Sequence, residues 1–122
     1  MPTKAYDLPE QECVRLVRSK HVGRLVYAER GLPVVRLAEF VIVDENVVIH
    51  GQVGPWLDRL DGAVVAFEVD HVNTATHTGW CVVIVGRARR AETADDSYER
   101  HCSIDMGQIS GHRVRFPARP VQ

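Results

Sequence analysis

Three cysteines, at 13, 81 and 102, are too few and too irregularly placed for a disulfide scaffold or a zinc knuckle, being odd in number and without a CxxC. They are expected to be reduced thiols that act as small packing residues. Charge of one sign is also lacking. Fifteen Lys plus Arg against 16 Asp plus Glu leave a formal net charge of −1, so no general field draws the chain to nucleic acid or to an anionic membrane. Long hydrophobic runs are missing as well: residues 63–67 and 82–85 fall far short of the roughly 20 residues of a spanning helix. The first residues, Met-Pro-Thr-Lys-Ala-Tyr-Asp, hold no apolar segment of the kind that directs secretion. A cytoplasmic protein is expected. None of the six histidines forms an i,i+4 pair or an HExxH, so no metal site is predicted. Without a repeat, low-complexity tract or linker, residues 1–122 read as a single domain with one core, of which 118–122 form a frayed tail.

What is present is mostly strand. Residues 8–18 are the exception: a proline at a first helical position, Glu10 and Glu12 in the first turn, arginines later, and Cys13, Leu16 and Val17 on one face predict a short opening helix. Residues 24–28 and 33–43 are rich in β-branched side chains and flank the turn 29–32, which predicts a hairpin. A turn at 44–46 leads to a strand at 47–50, and Pro55 then opens one or two helical turns through Trp56, Leu57 and Leu60. The next strand, 63–69, is expected to stop at Asp70, and the polar loop 71–78 leads to Gly79-Trp80-Cys81-Val82-Val83-Ile84-Val85-Gly86, too short for a helix and bounded by glycines. A helical turn is expected at 95–100, and closing strands at 102–104 and 112–116 around a turn at Ser110-Gly111. Many short, evenly spaced strands with one firm helix predict a mainly β protein, a small antiparallel barrel.

The order of these pieces resembles the pyridoxamine 5′-phosphate oxidase-like split barrels in their short actinobacterial form. The matching segments are Val22-Gly23-Arg24-Leu25, Gly31-Leu32-Pro33-Val34-Val35, Val65-Ala66-Phe67-Glu68-Val69-Asp70, Thr78-Gly79-Trp80-Cys81-Val82-Val83, Gly86-Arg87-Ala88 and Ile109-Ser110-Gly111-His112-Arg113-Val114. The resemblance implies a six-stranded antiparallel split β-barrel with one N-terminal helix and one or two short ones. It also implies a homodimer whose interface cleft holds a planar small molecule, usually FMN and in some relatives the deazaflavin F420. At the phosphate loop the chain departs from the family pattern. Where relatives carry Phe-Arg-Thr and then Gly-Ser-Lys-Leu, it has Ile49-His50-Gly51 and Gly54-Pro55-Trp56-Leu57. A charge-assisted hydrogen bond is worth roughly 1.5–3 kcal/mol, so losing two predicts phosphate binding weaker by about 10²- to 10⁴-fold. FMN or F420 binding is therefore expected to be weak or absent.

The residues expected at the cleft are Arg36, Glu39, His50, Gly51, Gly54, Trp56 and Trp80. Each has two readings. Trp80, just inside a strand, either fills the core or walls the ligand site. Trp56 either stacks on a planar ligand or plugs the groove. His50 either donates to phosphate when protonated or is a satisfied, mostly neutral histidine. Glu39, the candidate acid or base, has a raised pKa if its strand face is dry and is solvated if it points outward. Arg24, Arg36, Arg87 and Arg89 either converge on an anion from neighbouring strands or are solvated on the barrel faces. Two functions follow: a flavin- or deazaflavin-dependent oxidoreductase, or a cofactor-free ligand-binding protein or non-redox enzyme using the same cleft.

Overall fold

The computed structural model describes residues 3–50, 55–92 and 100–117. Over these it has eight strands and two helices: β1 Lys4–Asp7, α1 Glu10–Arg18, β2 Val22–Glu29, β3 Leu32–Val43, β4 Asn46–Ile49, α2 Pro55–Leu60, β5 Val64–Asn73, β6 Thr78–Glu92, β7 Arg100–Asp105 and β8 Gln108–Arg115. All strand pairs are antiparallel. Strands β6, β5, β2, β3, β4 and β7 follow one another around a wall, and β7 pairs back to β6, so six strands close the barrel. The mainly β barrel expected from the sequence is the fold that forms. Strands β8 and β1 continue the sheet beyond β6 as a flap.

Closure depends on the length of β6. Its first part, Thr78 to Val85, is held between β5 and β8, and its last part, Ala88 to Glu92, pairs with β7. The strand changes partner at Gly86, where an added Cβ would collide with the carbonyl oxygen of Asp105. Inside the barrel the alternation of β-strand side chains puts Leu25, Val47, Phe67, Val69, Val82, Ile84 and Ile104 out of water altogether. Phe40 meets Phe67 edge-on, with ring centroids 4.9 Å apart at 68°. Each such side chain stabilises the fold by about 1.5–3 kcal/mol. Helix α1 seals the side next to β8, burying Cys13, Leu16 and Val17. Pro9 is its N-cap rather than its first helical residue, with φ −60° and ψ 150°.

Two further local expectations are corrected, and one strand is additional. The strand expected to stop at Asp70 runs on to Asn73, because Asp70, His71, Val72 and Asn73 continue the ladder opposite Cys81, Trp80, Gly79 and Thr78. Asp70 is instead satisfied sideways, accepting a 2.8 Å hydrogen bond from Arg24. The reversal expected at Ser110-Gly111 lies earlier, at Met106 and Gly107, and Ser110 and Gly111 are themselves paired within β8. Gly111 serves packing there, since a Cβ would come within 2.8 Å of Cys13 Sγ on α1. The opening strand β1, exposed throughout, was not expected; it exists only through its pairing with β8. The helical turn at 95–100 and the tail 118–122 lie outside the described residues, apart from Arg100, which opens β7. Among the described residues no helix is long and apolar enough to cross a membrane.

Candidate functional site

Strand β2 carries Tyr27, β3 brings Arg36 beside it, and α2 lays Trp56 against both. The Tyr27 and Trp56 rings lie nearly parallel, 10° apart with centroids separated by 6.0 Å. The Arg36 guanidinium sits 4.6 Å from the centre of the Trp56 ring and donates a 2.7 Å hydrogen bond from Nε to the Tyr27 hydroxyl. Trp56 is only 9% exposed. A cation over an indole face is favourable by about 0.5–2 kcal/mol, so Arg36 is already engaged. Beside this group lies a cavity of about 210 Å³ lined by Tyr27, Glu29, Arg30, Trp56, Arg59 and Leu60. Arg59 donates to Glu29 at 2.7 Å across it, which leaves Arg30, on the β2–β3 turn, as the guanidinium at the rim.

The other expected residues lie in different surroundings. His50 follows the last residue of β4; its N–H donates to the Glu39 carbonyl at 3.3 Å, and its ring meets that of His101 edge-on at 5.4 Å. His101 Nδ1 is shielded from solvent and makes no hydrogen bond. Among the described residues no three His, Cys, Asp or Glu side chains come together as a metal site. Trp80 is 8% exposed, within the main core cluster, with Lys20 Nζ 6.0 Å from its ring centre. Lys20 also donates to His71 Nδ1 at 2.9 Å. Glu39 is exposed on the outer side of β3. Gly51 and Gly54 lie outside the described residues. The four arginines do not converge: Arg24 pairs with Asp70, Arg36 with Tyr27 and Trp56, Arg87 donates to the Gly62 carbonyl, and Arg89 is exposed.

A sequence profile of pyridoxamine 5′-phosphate oxidase matches residues 9–115, nearly the whole barrel. The chain belongs to that family. A Mycobacterium tuberculosis relative, the uncharacterized protein Rv0080, is 32% identical over 90 residues, covering 67% of this chain and 58% of the relative. This chain thus matches little more than half of that relative's length. Among solved structures, an FAD binding protein from Mycobacterium smegmatis superposes with a TM-score of 0.76 at 24% identity, over 90% of this chain and 98% of that one. An FAD-binding protein from Mesorhizobium loti gives 0.80 at 18% identity, over 94% and 100%. At these identities the likeness is one of fold.

Within this pyridoxamine 5′-phosphate oxidase family member, Trp56 and Arg59 of α2 and Arg36 of β3 are engaged with neighbouring side chains. Where the family pattern has a lysine stands Trp56, in contact with Tyr27 and Arg36, and the guanidinium groups of Arg36 and Arg59 contact Tyr27, Trp56 and Glu29. Sequence reading singled out Arg36 and Trp56 but missed Tyr27, which joins them. No local pattern marks Tyr27, an ordinary inward strand residue until β3 and α2 close over it.

The most perturbed carboxyl among the described residues, Glu68 of the segment Val65-Ala66-Phe67-Glu68-Val69-Asp70, was not expected as a site. Glu68 lies on the outer side of β5 between Arg24 on β2 and Val83 on β6. Its Oε1 is shielded from solvent and accepts no hydrogen bond, and Arg24 Nη1 stands 3.6 Å away, closer to Asp70 at 2.8 Å. Burial pushes the Glu68 pKa from 4.5 up to about 7, helped by its hydrogen bond to Asp70 and that carboxylate's charge and opposed by Arg24. A carboxyl raised on folding contributes stability that is fully present below its unfolded pKa and is lost as pH rises through the folded one. Between pH 5 and 8 the protein should therefore lose stability through this group. Glu68→Gln is expected to be about 1–3 kcal/mol more stable than wild type at pH 8 and equal to it near pH 4. Urea unfolding at the two pH values measures this; an equal difference at both would remove the titration from the account.

Proposed function

We propose that the protein is a flavin- or deazaflavin-type split-barrel oxidoreductase whose phosphate grip has been lost, working as a homodimer with a planar ligand in the cleft between subunits. The family membership over residues 9–115 carries this reading, and the shared fold with two FAD-binding proteins supports a flavin as the ring system. The cavity beside Trp56, about 210 Å³, is below the roughly 300–1,000 Å³ of ordinary ligand sites, so a second subunit is needed to complete a flavin-sized cleft. In this family the bound cofactor would supply the redox chemistry. This chain's residues would wall the ring and exclude water: Trp56, ordered by Tyr27 and Arg36, on one side, and Arg30 at the rim for an anionic group. The packing of Trp56 against Tyr27 and Arg36 favours a second reading, in which the cleft binds a small apolar molecule without a cofactor.

The visible spectrum of the purified protein, followed by titration with FMN, FAD and F420, separates the two. Dissociation constants well above micromolar are expected for each, and tightening by at least tenfold for FMN in the double variant His50→Arg with Trp56→Lys. A protein that purifies yellow with stoichiometric flavin would contradict the lost grip and turn attention to Arg30. Complete indifference of wild type and double variant to all three would leave the cofactor-free reading.

A further inference from the structure

Strands β6, β5, β2 and β3 turn one continuous side to solvent, and that side carries a group of exposed apolar side chains around a charged cluster, with Glu39 and Arg87 also on it. On it Val35, Leu37 and Val64 are 61%, 60% and 62% exposed, and Val22 and Val41 are 49% and 42% exposed. The register sets them on adjoining rungs: Val35 lies opposite Val26, which faces Ala66, which faces Val85, and Leu37 lies opposite Arg24, which faces Glu68. Soluble monomers rarely expose a large contiguous apolar patch. At its centre sits the cluster of Arg24, Glu68 and Asp70, with one oxygen of Glu68 cut off from water.

We propose that this face docks against the same face of a second copy of the chain, and that docking takes up a proton in each subunit, held on Glu68. The inference rests on the homodimer reading above and adds its surface and its control. Charge complementarity selects the occupant. With Glu68 protonated, Arg24 and Asp70 cancel and the cluster is neutral; with Glu68 ionised it carries one net negative charge. A twofold contact sets a patch against its own copy. Ionised clusters then meet like to like in a space from which water is expelled, whereas neutral ones meet without that cost. A basic partner would instead favour the ionised patch and bind more tightly as pH rises.

The groups around Glu68 leave it as the one that gives way. On its own strand stands Asp70, hydrogen-bonded to Arg24; on β2, Arg24 itself; on β6, the uncharged Val83 opposite and Cys81 opposite Asp70. The Cys81 thiol is pushed up by burial and then by Glu68 and Asp70, so it stays neutral. Farther out, His112 on β8 faces Cys81, and Glu39 on β3 faces Val22, both exposed. The Glu68 carboxyl already titrates at about 7 in the uncovered face, and a covering subunit would raise it further by removing the remaining water.

Sedimentation of the full chain between pH 5.5 and 8.5 at constant ionic strength tests this. Two protons per dimer predict a dissociation constant nearly flat at the acid end that weakens above pH 7 by up to roughly 100-fold per pH unit. Glu68→Gln should dimerise with one constant across the range, and Leu37→Arg or Val35→Lys should be monomeric at every pH with the circular dichroism of the wild type. A dimer whose constant ignores pH, or a Glu68→Gln dimer that still weakens with pH, overturns the proton linkage and leaves the homodimer standing. Unaltered dimerisation of both Leu37→Arg and Val35→Lys overturns the choice of face. A wild-type monomer at pH 5.5 and high concentration overturns the homodimer reading itself.

Discussion

Trp80→Ala is expected to lower the free energy of unfolding by about 3–5 kcal/mol, a melting temperature lower by on the order of 10–20 °C for a domain of this size. The indole is 8% exposed in the main core cluster, on the inward side of β6 that also carries Val82 and Ile84, and its removal leaves a cavity between β6 and the Lys20 side chain. Trp80→Phe keeps most of the apolar contact and is expected to cost about 1–2 kcal/mol. Thermal unfolding of the two variants decides how much of the ring is core, and titration of Trp80→Phe with flavins decides whether it is also a wall. Wild-type ligand behaviour in Trp80→Phe, beside a destabilised Trp80→Ala, would assign the ring to the core alone. An alanine variant as stable as the phenylalanine one would deny it that place.

Gly86→Ala is expected to cost at least about 3 kcal/mol, beyond ordinary overpacking. The new methyl would run into the Asp105 carbonyl, and backbone cannot swing aside as a side chain can. Relief requires β6 and β7 to part, which breaks the pairing of Ala88 with Ile104 and of Arg90 with Cys102 and so opens the barrel. Gly31→Ala is the control. Its φ of +77° strains any L side chain, but nothing lies within 4 Å, so about 1–2 kcal/mol is expected. Denaturant unfolding of both, with amide exchange on β7, measures the difference. Equal costs would show that closure at Gly86 is not tight, and protected β7 amides in Gly86→Ala would show that the barrel closes another way.

Strand identity was legible in the sequence because it is local. β-Branched runs between turn residues located β2, β3, β4 and β6, and the polar first turn with Cys13, Leu16 and Val17 on one face located α1. Family order extended this to the barrel and is matched by the profile over residues 9–115. The end of β5 and the turn before β8 were misplaced because Asp70 and Gly111 look like punctuation in sequence. In the fold, each answers a residue far along the chain, Arg24 in one case and Cys13 in the other.

The candidate site divides in the same way. Sequence alone singled out Arg36, Trp56 and Trp80 as cleft candidates, and showed that His50, Gly51, Pro55 and Trp56 stand where the family pattern has other residues. Only tertiary structure decided that Arg36 is engaged with Tyr27 and Trp56, that Glu39 faces water, and that His50 meets His101. It alone also picked out Glu68 among the acidic side chains of the described residues. Side-chain type and spacing are written along one strand, but the dielectric around a carboxyl is not. Arg24 lies 44 positions before Glu68 and Val83 lies 15 after it, and the sheet must pair three strands before the charge of Glu68 has a cost.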